Sequence, residues 1–502
     1  MIENKRNLLV IVFLCGFLAF AAAKNTNAAT FTVTRNDDRN LTCNSGSDCS
    51  LREAVAAANA VAGSQIINFL PSLSGQTITL VNQISIANNI AIQGPGANNL
   101  TLSGNNSVRL FSITVPVTTT ISGLTLTKGR TGGNGGAILQ NAVGASLTLD
   151  GVKVFDSTAT TGSEGGGVAS IHGSLTVLNS FFSGNSARKG GAIYYEGGGE
   201  LKVQNSTFYS NTSSQTGDFG GGAIFAGYTA TVSNSTFYKN TAAFGGGGIY
   251  FLGAGAIVLT VRNSTFTQNT GLFAGGLFSS GGITNLANSI LSQNNNSAGG
   301  AFPNIYNDAT LNNLGGNLID HANPLLAPLG YYGGPTPTVG PLTGSPALNI
   351  GVNAQALDVN GQPLTTDQRG AGFTRFIGIV DSGAIEGAVM PPSAAHVKIS
   401  GVVRAPNGYG IGNAYVYLTG ADGQIRQTLT NPFGNFEFPD LTAGETYIIN
   451  ISHKSYQFDA RVISVTDNVE ALIFQPVESQ EKADTPPKSG DSKVKINSIR
   501  LF

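Results

Sequence analysis

Four charged residues in the middle of the chain are the best candidates for a reactive site: Glu164, Arg188, Lys189 and Asp218. Two suitably spaced carboxylates could hydrolyse a glycosidic bond, and an Arg or Lys base beside bound Ca²⁺ could drive elimination from an acidic sugar. The alternative interpretation is a solvated network of ion pairs on a loop surface. We favour this alternative because acidic residues are scarce in this part of the chain.

These residues lie among two short phrases that alternate along the chain. Asn-Ser-Thr-Phe occurs at Asn205–Phe208, Asn234–Phe237 and Asn263–Phe266, with looser copies at Asn179–Phe182 and Asn288–Leu291. The second phrase is Gly-Gly followed by an apolar pair. From Gly136 to Gly276 it recurs over five intervals in 140 residues, which gives a mean period of 28. A fixed period of this length predicts a stacked solenoid.

The apolar runs inside each repeat are short and strand-like, so they can be buried only by stacking on neighbouring copies. We therefore predict an all-β fold: a right-handed parallel β-helix of the pectin-lyase-like type. Inside it we expect an inward-facing ladder of Phe182, Phe208, Phe237 and Phe266. At one corner we expect a hydrogen-bonded ladder of Asn185, Asn211, Asn240 and Asn269. The glycine pairs should form corners with positive φ. Glu164 and Asp218 would then lie two coils apart, roughly 10 Å.

The repeat resembles a known family of surface proteins. Gly-Gly-Ala-Ile at Gly190–Ile193 and Gly221–Ile224, combined with Phe-x-x-Asn, is similar to the repeat of the polymorphic outer-membrane proteins. The resemblance covers roughly residues 123–296. It implies a surface-exposed β-helix associated with adhesion.

The N-terminus has the features of a secretory signal peptide. Lys5 and Arg6 precede the apolar stretch Leu8–Phe20, which is followed by three alanines. Cleavage after Ala23 and cleavage after Ala29 are both compatible with the sequence. We expect a protein that is secreted to the extracellular space or the outer surface of a bacterium, with no transmembrane segment in the mature chain.

The segment before the repeats should cap the solenoid. Cys43 and Cys49 predict a disulfide, since a metal site would need other ligands and no His lies nearby. Ser50 and Glu53 form a capping box for a helix that should continue to Ala62 and cover the first coil. The string Cys49–Ala54 resembles the signature of the CSLREA domain of bacterial secreted proteins.

Two further resemblances lie after the repeats. The Pro- and Gly-rich segment 323–387 is similar to the choice-of-anchor Q domain, and Asp367 and Arg369 within it should form a buried structural pair, although a catalytic role is the alternative. Gly434–Phe438 and the short strands around it resemble the carboxypeptidase regulatory-like domain, a prealbumin-like sandwich. Because some of its relatives bind carbohydrate, Tyr415 and Tyr417 are candidate contacts; strand alternation could instead place them in the core.

These observations predict the following organisation: signal peptide 1–29, N-terminal cap 30–76, β-helix 77–322, C-terminal cap 323–388, linker 389–397, β-sandwich 398–475 and disordered tail 476–502. The net charge of −1 and the 11% of charged residues argue against a nucleic-acid partner. We expect a non-catalytic adhesive or structural protein that could bind an extracellular glycan or surface matrix, without metal or cofactor. The alternative is a polysaccharide lyase or glycoside hydrolase. The oligomeric state stays open.

Overall fold

The computed structural model describes residues 28–160, 162–214, 216–217, 219–389, 396–420, 425–442, 445–465 and 468–476. Most of the predicted signal peptide, linker and tail therefore falls outside the described residues, as does Asp218. The chain divides into two compact units, Met1–Pro391 and Pro392–Phe502. The first unit contains the repeats, and the second contains the strands predicted as a sandwich.

The first unit is a parallel β-solenoid of about nine turns, so the predicted fold class is confirmed. Its strands stack into three main parallel sheets in the described part of the chain. The largest has eighteen strands: Thr30–Val33, Gln65–Phe69, Ile84–Ile86, Ile90–Gln93, Phe111–Ile113, Thr118–Ser122, Ile138–Asp150, Val168–Leu178, Ile193–Tyr195, Leu201–Gln204, Ile224–Ala226, Ala230–Ser233, Ile249–Leu252, Val258–Arg262, Leu277–Ser280, Ile283–Ala287, Ile305–Asn307 and Thr310–Asn313.

The other two main sheets have one short strand per coil. The ten-stranded sheet contains Gln76–Thr79, Leu100–Ser103, Thr125–Thr127, Lys153–Phe155, Phe181–Ser183, Thr207–Tyr209, Thr236–Tyr238, Thr265–Thr267, Ile290–Ser292 and Leu318–Ile319. The seven-stranded sheet contains Arg130–Thr131, Thr158–Ala159, Ser186–Ala187, Thr212–Ser213, Thr241–Ala242, Thr270–Gly271 and Asn295–Asn296. Gly220–Gly221 pairs with Gly245–Gly246, and Pro71–Leu73 and Asn353–Gln355 are 3₁₀ turns.

The interior of the solenoid contains the phenylalanine ladder. Phe182, Phe208, Phe237 and Phe266 are fully buried and pair in register from one coil to the next. The centroids of successive rings lie 5.2, 4.8 and 4.3 Å apart, and the rings are nearly parallel. Coil spacing in a parallel sheet is about 4.8 Å, so the rings follow the backbone repeat.

Asparagine side chains form two ladders. Asn185, Asn211 and Asn240 each donate from Nδ2 to the Oδ1 of the next Asn at 2.9 Å, and the ladder continues beyond Asn269 through Asn294 to Asn304. The second ladder is formed by the Asn that begins each Asn-Ser-Thr-Phe phrase, and these residues have positive φ. It has two parts: Asn234 donates to Asn205 and Asn205 to Asn179, while Asn288 donates to Asn263. The two parts are not joined, because Asn263 donates to the carbonyl of Gln355. Positive φ was expected in the glycine pairs, but only two of the six have it, those that begin at Gly135 and Gly190. Gly221 does not have positive φ; there a Cβ would lie 1.7 Å from the carbonyl oxygen of Ile224, so close approach explains the glycine.

The N-terminal end of the solenoid is covered by a helix, Leu51–Ala60, which ends two residues before the predicted Ala62. Its capping box is present, because Glu53 accepts from the backbone N–H of Ser50 and Ser50 Oγ accepts from that of Glu53. Leu51, Ala54, Val55 and Ala58 are buried against the first coils. The structure joins Cys43 to Cys49 by a disulfide just before this helix.

Residues 323–389, which we call the strap, run back along the side of the solenoid rather than only over its last coil. The strap packs on the outer face of the ten-stranded sheet. Thr207 Oγ1 donates to the carbonyl of Pro337, and Thr236 Oγ1 donates to Gln368 Oε1. Thr265 Oγ1 accepts from the backbone N–H of Ala384. The strap also packs at the C-terminal end, where Ala347 and Leu326 contact Ile290 and Leu318, so the C-terminal cap stays a prediction. The sequence pattern did not show that the segment would also cover this outer face.

The second unit is a β-sandwich with its own core. One sheet contains Asn435–Thr442, His396–Val403 and Val469–Phe474, and the other contains Ile425–Leu429, Tyr415–Thr419, Thr446–Ser452 and Arg461–Ser464. Val416, Leu418 and Ile449 point inward and are buried. The residues that alternate with them face away from the core.

Candidate functional site

The structure brings Glu164 and Arg188 into direct contact. Arg188 donates to Glu164 Oε1 from Nε at 3.0 Å and also from Nη2. The carboxylate side chain is mostly buried, and the Glu164 backbone N–H donates to Asn134 Oδ1. Lys189 lies beside them, with its Nζ 5.2 Å from the centroid of the Phe225 ring. The fourth predicted member, Asp218, lies outside the described residues.

This geometry fits an ion pair better than a catalytic pair. The Oε1 atom of Glu164 accepts two N–H groups from the guanidinium of Arg188, so the carboxylate is engaged in the ion pair rather than directed at a substrate. The Nε and Nη2 atoms of Arg188 both donate to Glu164, so neither is placed to take a proton from a substrate. An open groove of about 550 Å³ borders Arg188 on the seven-stranded sheet, and its lining includes the hydroxyls of Thr158, Thr160 and Ser186. The groove could hold a polar ligand, but these residues supply no acid–base pair.

An aromatic cluster that sequence reasoning missed lies beside Lys189. Tyr194, Phe225, Tyr250 and Phe278 stack along the outer face of the eighteen-stranded sheet and are nearly buried. They are covered by loop residues Phe219 and Phe273, with Phe244 packed between these two. The recurrence of Phe one or two residues before three successive glycine runs, at Phe219, Phe244 and Phe273, could have revealed the cluster. Its consequence is that aromatic side chains fill this outer face in these coils.

The charged residues of the strap serve structure. The guanidinium of Arg369 donates to both carboxylate oxygens of the buried Asp367, as expected for a structural ion pair. Arg369 also donates to the backbone carbonyl of Glu386. Sequence reasoning missed Arg375, which is completely buried with its Nε 3.8 Å from Glu386 Oε2. Burial raises the pKa of Glu386 to about 7. These groups hold the strap to itself and to the solenoid, where Arg375 Nη2 donates to Asn263 Oδ1.

Tyr415 and Tyr417 lie on the outward face of the four-stranded sheet of the sandwich. Their ring centroids are 6.1 Å apart and their planes differ by 20°. Tyr415 is 46% exposed. Tyr417 pairs with Gln427 on one neighbouring strand and with Asn450 on the other, so amide groups flank the rings. Neither tyrosine belongs to the hydrophobic core of the sandwich.

The same face is free of charged side chains at the outward positions of its described strands. Apart from the tyrosines and their amide neighbours, these positions are occupied by Thr419, Ile425, Leu429, Ile448, Ser452 and Val462. A flat face with two near-parallel aromatic rings and neighbouring amides can stack against the apolar faces of sugar rings and bond their hydroxyls.

Comparison with known families agrees with both units. Residues 111–298 match the family described as the right handed beta helix region, and residues 398–474 match the carboxypeptidase regulatory-like domain. The chain thus combines a right-handed parallel β-helix with a carboxypeptidase regulatory-like sandwich. No curated protein matches it. The resemblances to the polymorphic outer-membrane proteins, the CSLREA domain and the choice-of-anchor Q domain stay predictions.

Neither a membrane-spanning helix nor a metal-binding cluster of side chains is found among the described residues. No helix there combines the length and apolar composition needed to cross a bilayer. In the same part of the chain, no group of three or more His, Cys, Asp or Glu residues is placed to hold a metal ion. A right-handed β-helix fits a surface or structural protein as well as a pectate-lyase-like enzyme, so the side chains must decide between them.

Proposed function

We propose that this protein is a secreted or cell-surface, non-catalytic β-helix protein that adheres to carbohydrate through its C-terminal sandwich. The exposed, near-parallel pair Tyr415 and Tyr417, flanked by Gln427 and Asn450 on an uncharged sheet face, is the observation that carries this proposal. Aromatic rings bind sugars by covering the C–H faces of the pyranose, while amides bond hydroxyls at the edge. An uncharged face favours a neutral glycan.

The solenoid supports a structural role in this proposal. Its interior is filled by the phenylalanine ladder, its corners are bonded by two asparagine ladders, and its side is covered by the strap. Such a body is a rigid support on which a binding module can be displayed. The signal peptide predicted from the sequence supplies the expected route out of the cytoplasm.

The enzyme alternative depends on Glu164, Arg188, Lys189 and Asp218, and the ion pair between Glu164 and Arg188 argues against it. A lyase would need a neutral base and a hydrolase would need two carboxylates with a water between them. Glu164 and Arg188 neutralise each other instead. No specific contact of the described residues favours catalysis over adhesion.

The test is retention of the purified full chain on insoluble neutral and acidic polysaccharides, with mass spectrometry of the supernatant. We expect saturable retention on a neutral polysaccharide without soluble product. Replacing both Tyr415 and Tyr417 by Ala should weaken retention by about tenfold or more, because one stacking contact on an aromatic ring is worth about 1–3 kcal/mol. The matched control is Tyr228→Ala, which removes a tyrosine of similar exposure from the solenoid.

Two outcomes would contradict the proposal. Shortened or unsaturated oligosaccharides in the supernatant, lost on Glu164→Gln, would support the enzyme alternative. Retention that is equal in the double tyrosine variant and in Tyr228→Ala would show that the sandwich face does not bind the glycan.

A further inference from the structure

A small pocket lies on the ten-stranded sheet beside the strap residues Pro335 and Thr336. The outward position in this sheet is Thr265, Thr236 and Thr207 in three successive coils, and the strap bonds to each. The next two coils have Phe181 and then Lys153 at the same position. A cavity of about 180 Å³ opens there, and its lining includes Asn98, Lys153, Asn179, Phe181, Pro335 and Thr336.

Lys153 is an unusual residue for this place. Its Nζ donates to Asn98 Oδ1 at 2.5 Å, a neutral acceptor, and no carboxylate of the described residues lies within ion-pair distance. Asp150, three residues earlier, accepts from Asn179 Nδ2 instead. Lys153 is half-buried and its burial lowers the pKa of the amine, while the bond from Nζ to Asn98 lies at the exposed edge of the pocket. A partly buried cation without an anionic partner is unfavourable, and the threonine found in neighbouring coils would avoid this.

We propose that this pocket binds a single acidic sugar unit, with the carboxylate of the sugar on Lys153 Nζ. Lysine is a compact point charge with three donors, so it can bond Asn98 and a ligand carboxylate together. The amide of Asn98 is within reach of sugar hydroxyls, and Phe181 and Pro335 supply the apolar part of the lining. The proposal goes beyond adhesion through the sandwich, since it concerns another unit and another charge class of glycan.

The size of the pocket selects a small ligand. Its volume corresponds to about six water molecules at about 30 Å³ each. Pockets for drug-sized ligands begin at about 300 Å³, so a single uronate or the terminal uronate of a chain fits this space better than a longer segment. A free uronate and a uronate at the end of a chain present the same carboxylate and hydroxyls. They differ only in whether the pocket must accommodate a second sugar linked to the uronate.

The experiment is a titration of the full chain with methyl glucuronoside, followed by ligand-observed NMR and calorimetry. Methyl glucoside, in which a neutral hydroxymethyl group replaces the carboxylate, is the matched ligand. We expect saturable binding of the glucuronoside and affinity for the glucoside that is weaker by about tenfold or more, because a charge-assisted hydrogen bond is lost. A glucuronate-ended disaccharide that binds equally well would identify chain ends as the source, and one that does not bind would identify the free sugar.

Variants test whether Lys153 itself binds the carboxylate. Lys153→Gln should weaken glucuronoside binding by about tenfold or more, and Lys202→Gln should leave it unchanged, because Lys202 bonds Glu200 and Asn360 outside the pocket. If Lys153→Gln lowers the melting temperature, Lys153→Arg preserves the charge and should still discriminate the two ligands. The double tyrosine variant should bind the glucuronoside as tightly as the parent chain does. The two proposals can therefore fail independently, because each is tested by a different variant and a different ligand.

Three results would overturn the proposal. One is the absence of saturable glucuronoside binding. Another is equal affinity in Lys153→Gln and in the parent chain. The third is displacement of the glucuronoside by acetate at equal concentration, which would show a general anion site without recognition of the sugar.

Discussion

Each residue of the repeated phrase has its own role, which one coil illustrates. Asn234 has φ of 55° and turns the chain between two sheets, while its Nδ2 donates to Asn205. Ser235 Oγ accepts from the backbone N–H of Ser206 in the previous coil. Thr236 faces outward and bonds the strap, and Phe237 faces inward and stacks. The phrase therefore combines a turn, an inter-coil bond, a strap contact and a core contact in four residues.

The phenylalanine ladder gives a prediction for single residues. Phe237→Ala should lower the free energy of unfolding of the solenoid by about 3–5 kcal/mol, because it leaves a cavity between Phe208 and Phe266 that neighbouring coils cannot fill. The measurement is urea unfolding followed by far-UV circular dichroism, since the chain contains no Trp. The control is Phe302→Ala, whose ring is 55% exposed and should contribute little. Equal losses in the two variants would contradict the role given to the ladder.

The two ends of the solenoid are closed by different means at the scale of elements. The N-terminal end is covered by the helix Leu51–Ala60, whose Glu53 is bonded by Arg39. The last coil instead has both apolar and polar residues at its inward positions, with Ile305 and Leu311 at the positions of Leu277 and Thr284. Asn313 occupies the position of Leu286 in the preceding coil, and Asn307 occupies that of Ser279. The strap covers part of this end, because Ala347 and Leu326 pack against Ile290 and Leu318 of the last coils.

The strap gives a prediction about pH. Burial raises the pKa of Glu386 from 4.5 to about 7, so the folded strap binds a proton that the unfolded strap releases. The contribution of Glu386 to the stability of the folded strap is fully present below pH 4.5 and is lost as the pH rises through 7. The free energy of opening the strap changes by about 3 kcal/mol in total. Hydrogen exchange at the Gly383 amide, which donates to the carbonyl of Asn288, reports the opening of the strap.

The matched variant for this prediction is Glu386→Gln, which retains the shape of the side chain and removes its titration. At each pH the protection factor of Gly383 in the parent should be divided by that in Glu386→Gln, which cancels the intrinsic pH dependence of exchange. We expect this ratio to fall between pH 4.5 and 7. A ratio that stays constant or rises would show that Glu386 is charged in the folded strap throughout this range.

The sequence predicted the elements that repeat and missed those that do not. Phe182 and Asn185 recur with a fixed spacing, so stacking follows from the period alone. The strap has no period, and its contacts, such as Gln368 with Thr236, join residues 132 positions apart. Lys153 gave no local signal either, because its importance depends on Pro335 and Asn98, which are near only in the folded chain. Tyr415 and Tyr417 could be named, but strand alternation alone did not show which face they share.

At the scale of the whole molecule, the two units have separate hydrophobic cores. Phe182, Phe208, Phe237 and Phe266 belong to the core of the solenoid, and Phe436, Phe438 and Phe474 belong to that of the sandwich. The stability of each core is determined by packing within its own unit. We therefore expect two calorimetric transitions in the full chain rather than one.

Substitutions in each core should assign the two transitions. Phe436→Ala removes a buried ring that contacts Phe438 and Phe474, and it should lower the midpoint of one transition by a loss of about 3–5 kcal/mol. Phe237→Ala should lower the midpoint of the other by a similar free energy. Each variant should leave the second transition unchanged, because additivity holds for sites that share no partner. If either variant moved both transitions together, the units would unfold cooperatively. The sandwich could then not be treated as an independent binding module displayed on a rigid solenoid.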